Sequence, residues 1–375
     1  MKRIAIFSFY DCEGHADMYI NCLLQDMTAF IDKLVIVCNG SVDEDSLAFF
    51  KKVSDYCIIR ENIGYDAGGY KDTILALQQS GGFKEYDECI LFNNTFFAFF
   101  YPLQEMFDAM DKKSDVDFWG ITKHPKGQYQ NKYYYAEHIQ AYFLVIRSRM
   151  FHSSDFLCFW QNIDYPVDYH MAVQQFEIAF TEYFTKKCFV GNVYCDLQRI
   201  GIEDRYGINP YLSYGYELIV QMHCPVLKIK SIYIENSKEN RVLEAIDYLQ
   251  KMHLYKTEYI WQYLSRGCQN GSISTYFDFY KLEQFCRRFS SLYVYGNGVY
   301  GKWIKRYLQL RHFPFDKMVV THKNKKLEDD CVEYTRFKAK PNAGWIVALN
   351  AKNTTQVLNL IQNDISEDRL FVGKR

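Results

Sequence analysis

Residues 61–73 read Glu-Asn-Ile-Gly-Tyr-Asp-Ala-Gly-Gly-Tyr-Lys-Asp-Thr, a dense set of groups that can bind a ligand. Asn62, Asp66, Lys71 and Asp72 supply hydrogen bonds and charge, while Gly64, Gly68 and Gly69 permit positive φ and close approach of the backbone to a bound group. Three other places share this polar character. Ser8 lies near the end of the run 4–10, Asn39 follows the run 33–38, and Asn93-Asn94-Thr95 follows 88–92. The amides and hydroxyl of 93–95 can hydrogen-bond a ribose or a phosphate oxygen, but they bring no carboxylate. A single polar strand tip means little, whereas several along one edge of a parallel sheet describe a site. A tight turn with a solvated Asp and Lys would use the same glycines, and that reading stays open.

These residues need a scaffold of strands and helices. Apolar runs at 4–10, 33–38, 56–59 and 88–92 alternate with helical segments near 18–30, 46–53 and 74–79, the pattern of a parallel sheet covered by helices. The β-branched run 56–59 reads as a buried strand, and the glycine-rich stretch as the turn between it and helix 74–79. Residues 118–122 and 138–146 are expected as strands, with a polar, tyrosine-rich loop to Tyr135 lying over the site. Residues 173–184 form an amphipathic helix with Glu177 near its middle, and 225–229 are extended. Charged helices occupy 238–264, and a turn-rich break falls at 267–274. A second α/β unit begins at Ser291. It carries Gly296-x-Gly298-x-x-Gly301 between a strand and a helix, a dinucleotide fingerprint in its proper context. The acidic residue that should end the next strand is missing, because that strand runs into His322-Lys323, so NAD-type ribose binding is unsupported and an oxidoreductase disfavoured. The expected domains are 1–237, a helical linker 238–290 and a small Rossmann-like module 291–375.

Composition narrows the function classes. Lys and Arg number 44 against 45 Asp and Glu, a net charge of −1 that gives no reason to expect nucleic acid. The 32 Tyr and 29 Phe suit stacking on sugars and bases, and equally suit thick cores. The 12 Cys show no C-x-x-C pair and no zinc spacing, which predicts buried small hydrophobes in a reduced, cytoplasmic protein. The N-terminus runs directly into a strand pattern without a signal peptide, and no apolar run is long enough to span a bilayer.

The run Asn62-Ile63-Gly64-Tyr65-Asp66-Ala67-Gly68-Gly69-Tyr70-Lys71 resembles the N-I-G-x-D-x-G-x-x-K signature of the rhamnan synthesis protein F family. Leu91-Phe92-Asn93-Asn94-Thr95 with Pro102-Leu103, Phe118-Trp119-Gly120, His138-Ile139-Gln140 with Tyr142-Phe143, Phe176-Glu177 and Pro225-Val226-Leu227-Lys228 fall in the family's order, so the resemblance covers roughly residues 1–235. It implies a GT-A-like α/β domain that moves a sugar, with rhamnose a candidate, from a nucleotide-sugar donor to a glycan or lipid-linked acceptor in bacterial surface polysaccharide synthesis. Peripheral association with the inner face of the membrane is compatible with such an acceptor.

By the same resemblance Ser8, Asn39, Asn62 and Asp66 hold the nucleotide. The glycines, Lys71 and Asn93-Asn94-Thr95 complete the donor site, and Lys228 faces the diphosphate. Glu177 is the catalytic base, while His138 and Gln140 contact the acceptor or the donor sugar. A surface Glu on an amphipathic helix and a solvated strand lysine are the plain alternatives. Relatives carry an Asp after the fourth strand where Mg²⁺ or Mn²⁺ meets the diphosphate. Asn93-Asn94-Thr95 departs from that pattern, which disfavours a metal and leaves a non-catalytic carbohydrate- or assembly-binding protein as the competing reading.

Overall fold

The computed structural model of the protein describes residues 1–129, 132–232, 241–266, 278–322 and 330–373. Its larger sheet has seven strands, β1 (Arg3–Phe9), β2 (Lys33–Asn39), β3 (Tyr56–Arg60), β4 (Glu88–Asn93), β5 (Phe118–Gly120), β6 (Phe143–Arg147) and β7 (Gly191–Val193). They lie in the order β7-β5-β6-β4-β1-β2-β3. Every pair is parallel except those made by β6, which runs antiparallel to β4 and β5. This is the mostly parallel α/β sheet that the resemblance implied. β1 sits inside it, and its Ile4, Ala5, Ile6 and Phe7 have no exposed surface, so a continuous apolar run is what that position demands. The ladder places Ser8 directly opposite Asn93, at the carboxyl ends of β1 and β4.

β3 is not the buried strand that its composition suggests. It closes one edge of the sheet, and Ile59 is 52% exposed. β-branched residues favour a strand wherever it lies, and only the tertiary position decides whether that strand is covered.

The glycine-rich stretch also differs from expectation. Helix α1 spans Met18–Thr28, α2 Glu44–Val53 and α3 Tyr65–Gln79, so α3 begins nine residues before the expected start at 74. Only residues 61–64 form the turn, ending at Gly64 with φ +81°. Gly68 and Gly69 lie inside α3 and face protein rather than a ligand. A Cβ on Gly69 would stand 3.1 Å from Asn39 Oδ1, and one on Gly68 would stand 2.3 Å from the Ile63 carbonyl oxygen. Their missing side chains let α3 settle on β2 and on its own preceding turn. Gly68→Ala is therefore expected to destabilise the fold by about 1–3 kcal/mol, the usual cost of overpacking, read as a lower urea midpoint at unchanged slope.

The expected strand 138–146 divides in two. His138–Ile139 pairs antiparallel with Lys123–His124, while β6 starts only at Phe143. Strand Phe96–Ala98 pairs antiparallel with Val226–Lys228 and sets Lys228 opposite Phe96. The helix around Glu177 is irregular: Val173–Ile178 forms a π-helical turn between Tyr169–Ala172 and Ala179–Lys186. Such a wide turn re-aims a side chain that a regular helix would point elsewhere.

Helices Val242–Lys251 and Glu258–Ser265 match the expected helical segment, whereas residues 238–240 and the expected break at 267–274 lie outside the described residues. The second sheet has five strands, β8 (Leu292–Tyr295), β9 (Phe315–Val320), β10 (Cys331–Glu333), β11 (Gly344–Val347) and β12 (Leu370–Val372). All are parallel, in the order β10-β9-β8-β11-β12. One hydrophobic cluster joins the two sheets, running from Leu23 and Leu24 through Ile246 and Trp261 to Trp303 and Ile346.

The cysteines are not all buried hydrophobes. Cys12 is disulfide-bonded, and Cys158 and Cys188 are exposed. Among the described residues no helix is long and apolar enough to cross a membrane.

Candidate functional site

The polar groups at the strand ends meet in a cleft whose centre is Asp66. The first turn of α3 brings its carboxylate over the end of β4, where Oδ2 accepts from Asn93 Nδ2 at 2.9 Å and Oδ1 from the Ala67 N–H at 3.0 Å. Asn93 Oδ1 in turn accepts from the Thr95 hydroxyl at 2.7 Å and from the Thr95 N–H at 3.1 Å. The Thr95 hydroxyl oxygen accepts from Lys228 Nζ at 2.6 Å. A continuous hydrogen-bonded chain thus runs Asp66–Asn93–Thr95–Lys228. The Lys228 ammonium also lies 4.3 Å from the centre of the Tyr142 ring, which holds it by cation–π attraction.

Glu177 enters from the π turn. Its Oε2 accepts from the Ala141 N–H at 3.3 Å and lies 3.7 Å from His138 Nε2. The alternative of a surface Glu does not hold, because the carboxyl points inward. His138 is 2% exposed, and burial takes its pKa down to about 4, so the ring is neutral near pH 7. Its Nδ1 lies 2.7 Å from the Ala136 carbonyl, which can only accept, so the proton is on Nδ1 and the Nε2 lone pair faces Glu177. Burial raises the pKa of Glu177. Burial, and then the nearby Glu177 charge, raise that of Asp66. Burial also draws Lys228 down to about 7, against the attraction of Glu177 and Asp66. Two proton acceptors and one amine, all tuned toward neutrality, therefore share one cleft, an arrangement suited to proton transfer and anion stabilisation.

A second network lies at the carboxyl ends of β1 and β2. Asn39 Nδ2 donates to Ser8 Oγ at 2.9 Å, and Asn39 Oδ1 accepts from Arg60 Nη1 at 2.6 Å. Arg60 Nε donates to Asp72 Oδ2 at 2.9 Å, and Tyr165 donates its hydroxyl proton to Asp72 Oδ1 at 2.5 Å. Ser8 and Asn39 are buried within this network, while Asn62 is exposed on the adjoining turn.

Two expected donor residues are turned to other work. Lys71 Nζ donates to the Ile163 carbonyl at 2.6 Å and ties α3 to the chain after helix Ser154–Asn162. Asn94 clasps Tyr10, accepting from its N–H at 3.2 Å and donating to its carbonyl at 2.9 Å. Gln140 accepts from the Thr122 hydroxyl at 2.7 Å within a buried chain through Tyr142 and Tyr211, behind the cleft wall.

Sequence reasoning missed Tyr142 beneath Lys228. It also missed His124, whose ring stacks on His138 with centroids 5.3 Å apart. Tyr142 could have been suspected, since His138, Gln140 and Tyr142 alternate along one stretch. His124 carries no such signal, because only the pairing of Lys123–His124 with His138–Ile139 brings it there.

The rhamnan synthesis protein F family matches the chain over residues 34–333, reaching past the end of the 1–235 covered by the motifs but starting after β1. The uncharacterized protein y4gN of Sinorhizobium fredii is 30% identical over 156 residues, 40% of this chain. The chain spans about 38% of the length of that relative. Solved structures with a related arrangement include a cytidylyltransferase from Leptospira borgpetersenii, 13% identical, covering 67% of this chain and 95% of that one at a TM-score of 0.31. A glycosyltransferase involved in glycosylation of the major capsid of PBCV-1 is 8% identical, covering 66% and 98% at a TM-score of 0.31. Scores this low leave the fold to be read from the sheet itself.

Proposed function

The chain belongs to the rhamnan synthesis protein F family, and on that premise we propose that it is a glycosyltransferase acting on a nucleotide-sugar donor and a glycan or lipid-linked acceptor of bacterial surface polysaccharide. The observation that carries this reading is the convergence of Asp66, Glu177 and Lys228 through hydrogen bonds and charge in one cleft at the carboxyl ends of β1 and β4. Asn62 and Asp66 border the nucleotide, Ser8 and Asn39 support that wall from within, and rhamnose is the candidate sugar.

In the proposed step Glu177 takes the proton of an acceptor hydroxyl. The freed oxygen bonds to the anomeric carbon, and the bond from that carbon to the diphosphate breaks with its electron pair leaving on the phosphate oxygen. Lys228 stabilises the departing charge, and the Thr95 hydroxyl holds the ammonium in place. His138 keeps an acceptor lone pair beside Glu177, which favours proton uptake there.

The donor set does not fit a divalent ion. Asp66 already accepts from Asn93 and Ala67, Asn93 and Thr95 are neutral, and Lys228 brings its own positive charge to the centre. The charge balance on the diphosphate then falls to Lys228, with Lys230 within electrostatic reach of it. The second reading, a non-catalytic carbohydrate binder, is favoured by Asn94, whose amide is committed to the Tyr10 backbone where the family resemblance leads one to expect an acid.

Titration of UDP-, GDP- and dTDP-sugars against the wild type and Asp66→Ala tests the cleft. One donor class is expected to bind the wild type, and the variant is expected to lose at least about tenfold in affinity, the scale of a charge-assisted hydrogen bond. Wild-type affinity in the variant would remove Asp66 from the donor site.

A further inference from the structure

A cavity of about 930 Å³ opens behind the strand that follows Thr95. Its walls come from α1, from the helices Val242–Lys251 and Glu258–Ser265, and from the end of helix Val299–Leu310. Gln25, Gln250 and Thr257 supply amides and a hydroxyl, and Phe99, Tyr255 and Trp261 supply aromatic surface.

Charge decides which ligand class fits. The lining acids Asp26 and Glu258 balance the bases Lys256 and Arg311. Arg311 is moreover held by Glu283 at 2.8 Å and by Glu258 at 2.5 Å. That leaves no cationic excess for a phosphate, and the amides and hydroxyls would be desolvated unpaired by a lipid chain. Aromatic faces beside planar amides and hydroxyls instead match a neutral, polyhydroxylated chain.

The cavity lies close to the cleft along the chain. Thr95, which bonds Lys228, and Phe99, which lines the cavity, flank the strand Phe96–Ala98 and can be at most about 14 Å apart. We infer that this cavity binds the neutral glycan chain of the acceptor, away from the sugar being extended, so that the acceptor is gripped in two places. The inference rests on the glycosyltransferase reading of the cleft and names where that enzyme would hold its acceptor. Two linked contacts raise affinity with chain length without any new chemistry at the reacting centre.

The test is saturation-transfer NMR on the full chain with disaccharides and hexasaccharides of rhamnose, mannose and glucose. At least one hexasaccharide is expected to bind roughly tenfold more tightly than its disaccharide. Gln25→Ala/Gln250→Ala should erase that difference while leaving nucleotide-sugar affinity unchanged, and the milder Gln25→Ala alone should reduce it. Wild-type length dependence in both variants, or no hexasaccharide binding at all, overturns the inference. Glu177→Gln separates the two claims: hexasaccharide binding is expected to persist in it even though transfer is lost. Transfer that proceeds normally without any length dependence would sink the cavity and spare the cleft.

Discussion

Lys228→Met is expected to weaken donor binding by at least about a hundredfold, because on the proposed mechanism it removes the cation that would face the diphosphate. The sign of the accompanying pH effect follows from burial, which brings the Lys228 pKa down to about 7. Below that value the ammonium is charged in the free protein and donor affinity is flat. Above it the amine must first take up a proton to meet the diphosphate. Affinity therefore falls by up to about tenfold per pH unit until the higher pKa of the bound state is reached. Calorimetric titration of the donor between about pH 6 and 9 should show this slope in the wild type and none in the variant. A variant that binds as the wild type does, with the same slope, would place the diphosphate elsewhere.

Glu177→Gln is expected to keep donor affinity and lose transfer by roughly 10²–10⁴-fold, the range for a positioned general base. The amide keeps the shape and the hydrogen bond from the Ala141 N–H but cannot accept a proton from the acceptor hydroxyl. Other acids near the sheet edge are committed to cations. Asp11 is bonded to Arg266, and Asp204 lies 2.7 Å from Lys123. Turnover that survives in the variant would therefore remove Glu177 as the base and leave Asp66, the other carboxylate of the cleft, to be tested in its place.

Much of the scaffold was legible in the chain. Apolar runs with Ser8, Asn39 and Asn93 at or near their ends predicted strands whose carboxyl ends line one edge, and the ladder sets Ser8 beside Asn93. Local pattern failed where long-range packing decides. The run 56–59 has the composition of a buried strand, yet nothing local reveals that β3 closes the sheet edge. Gly68 and Gly69 read as room for a ligand, whereas they make room for Ile63 and Asn39. The inward aim of Glu177 depends on a π turn, a backbone irregularity that an amphipathic period cannot announce. Lys71 and Asn94 have the right chemistry for a donor site, but partners distant in sequence, Ile163 and Tyr10, claim them first.

The central claim is that this cleft transfers a sugar without a metal, and release of nucleoside diphosphate from the bound donor, followed with acceptor present and EDTA in excess, tests it most directly. The account predicts acceptor-dependent release that persists in EDTA and is not restored to a higher level by Mn²⁺. No release from any donor, or release abolished by EDTA and fully recovered with Mn²⁺, would contradict it.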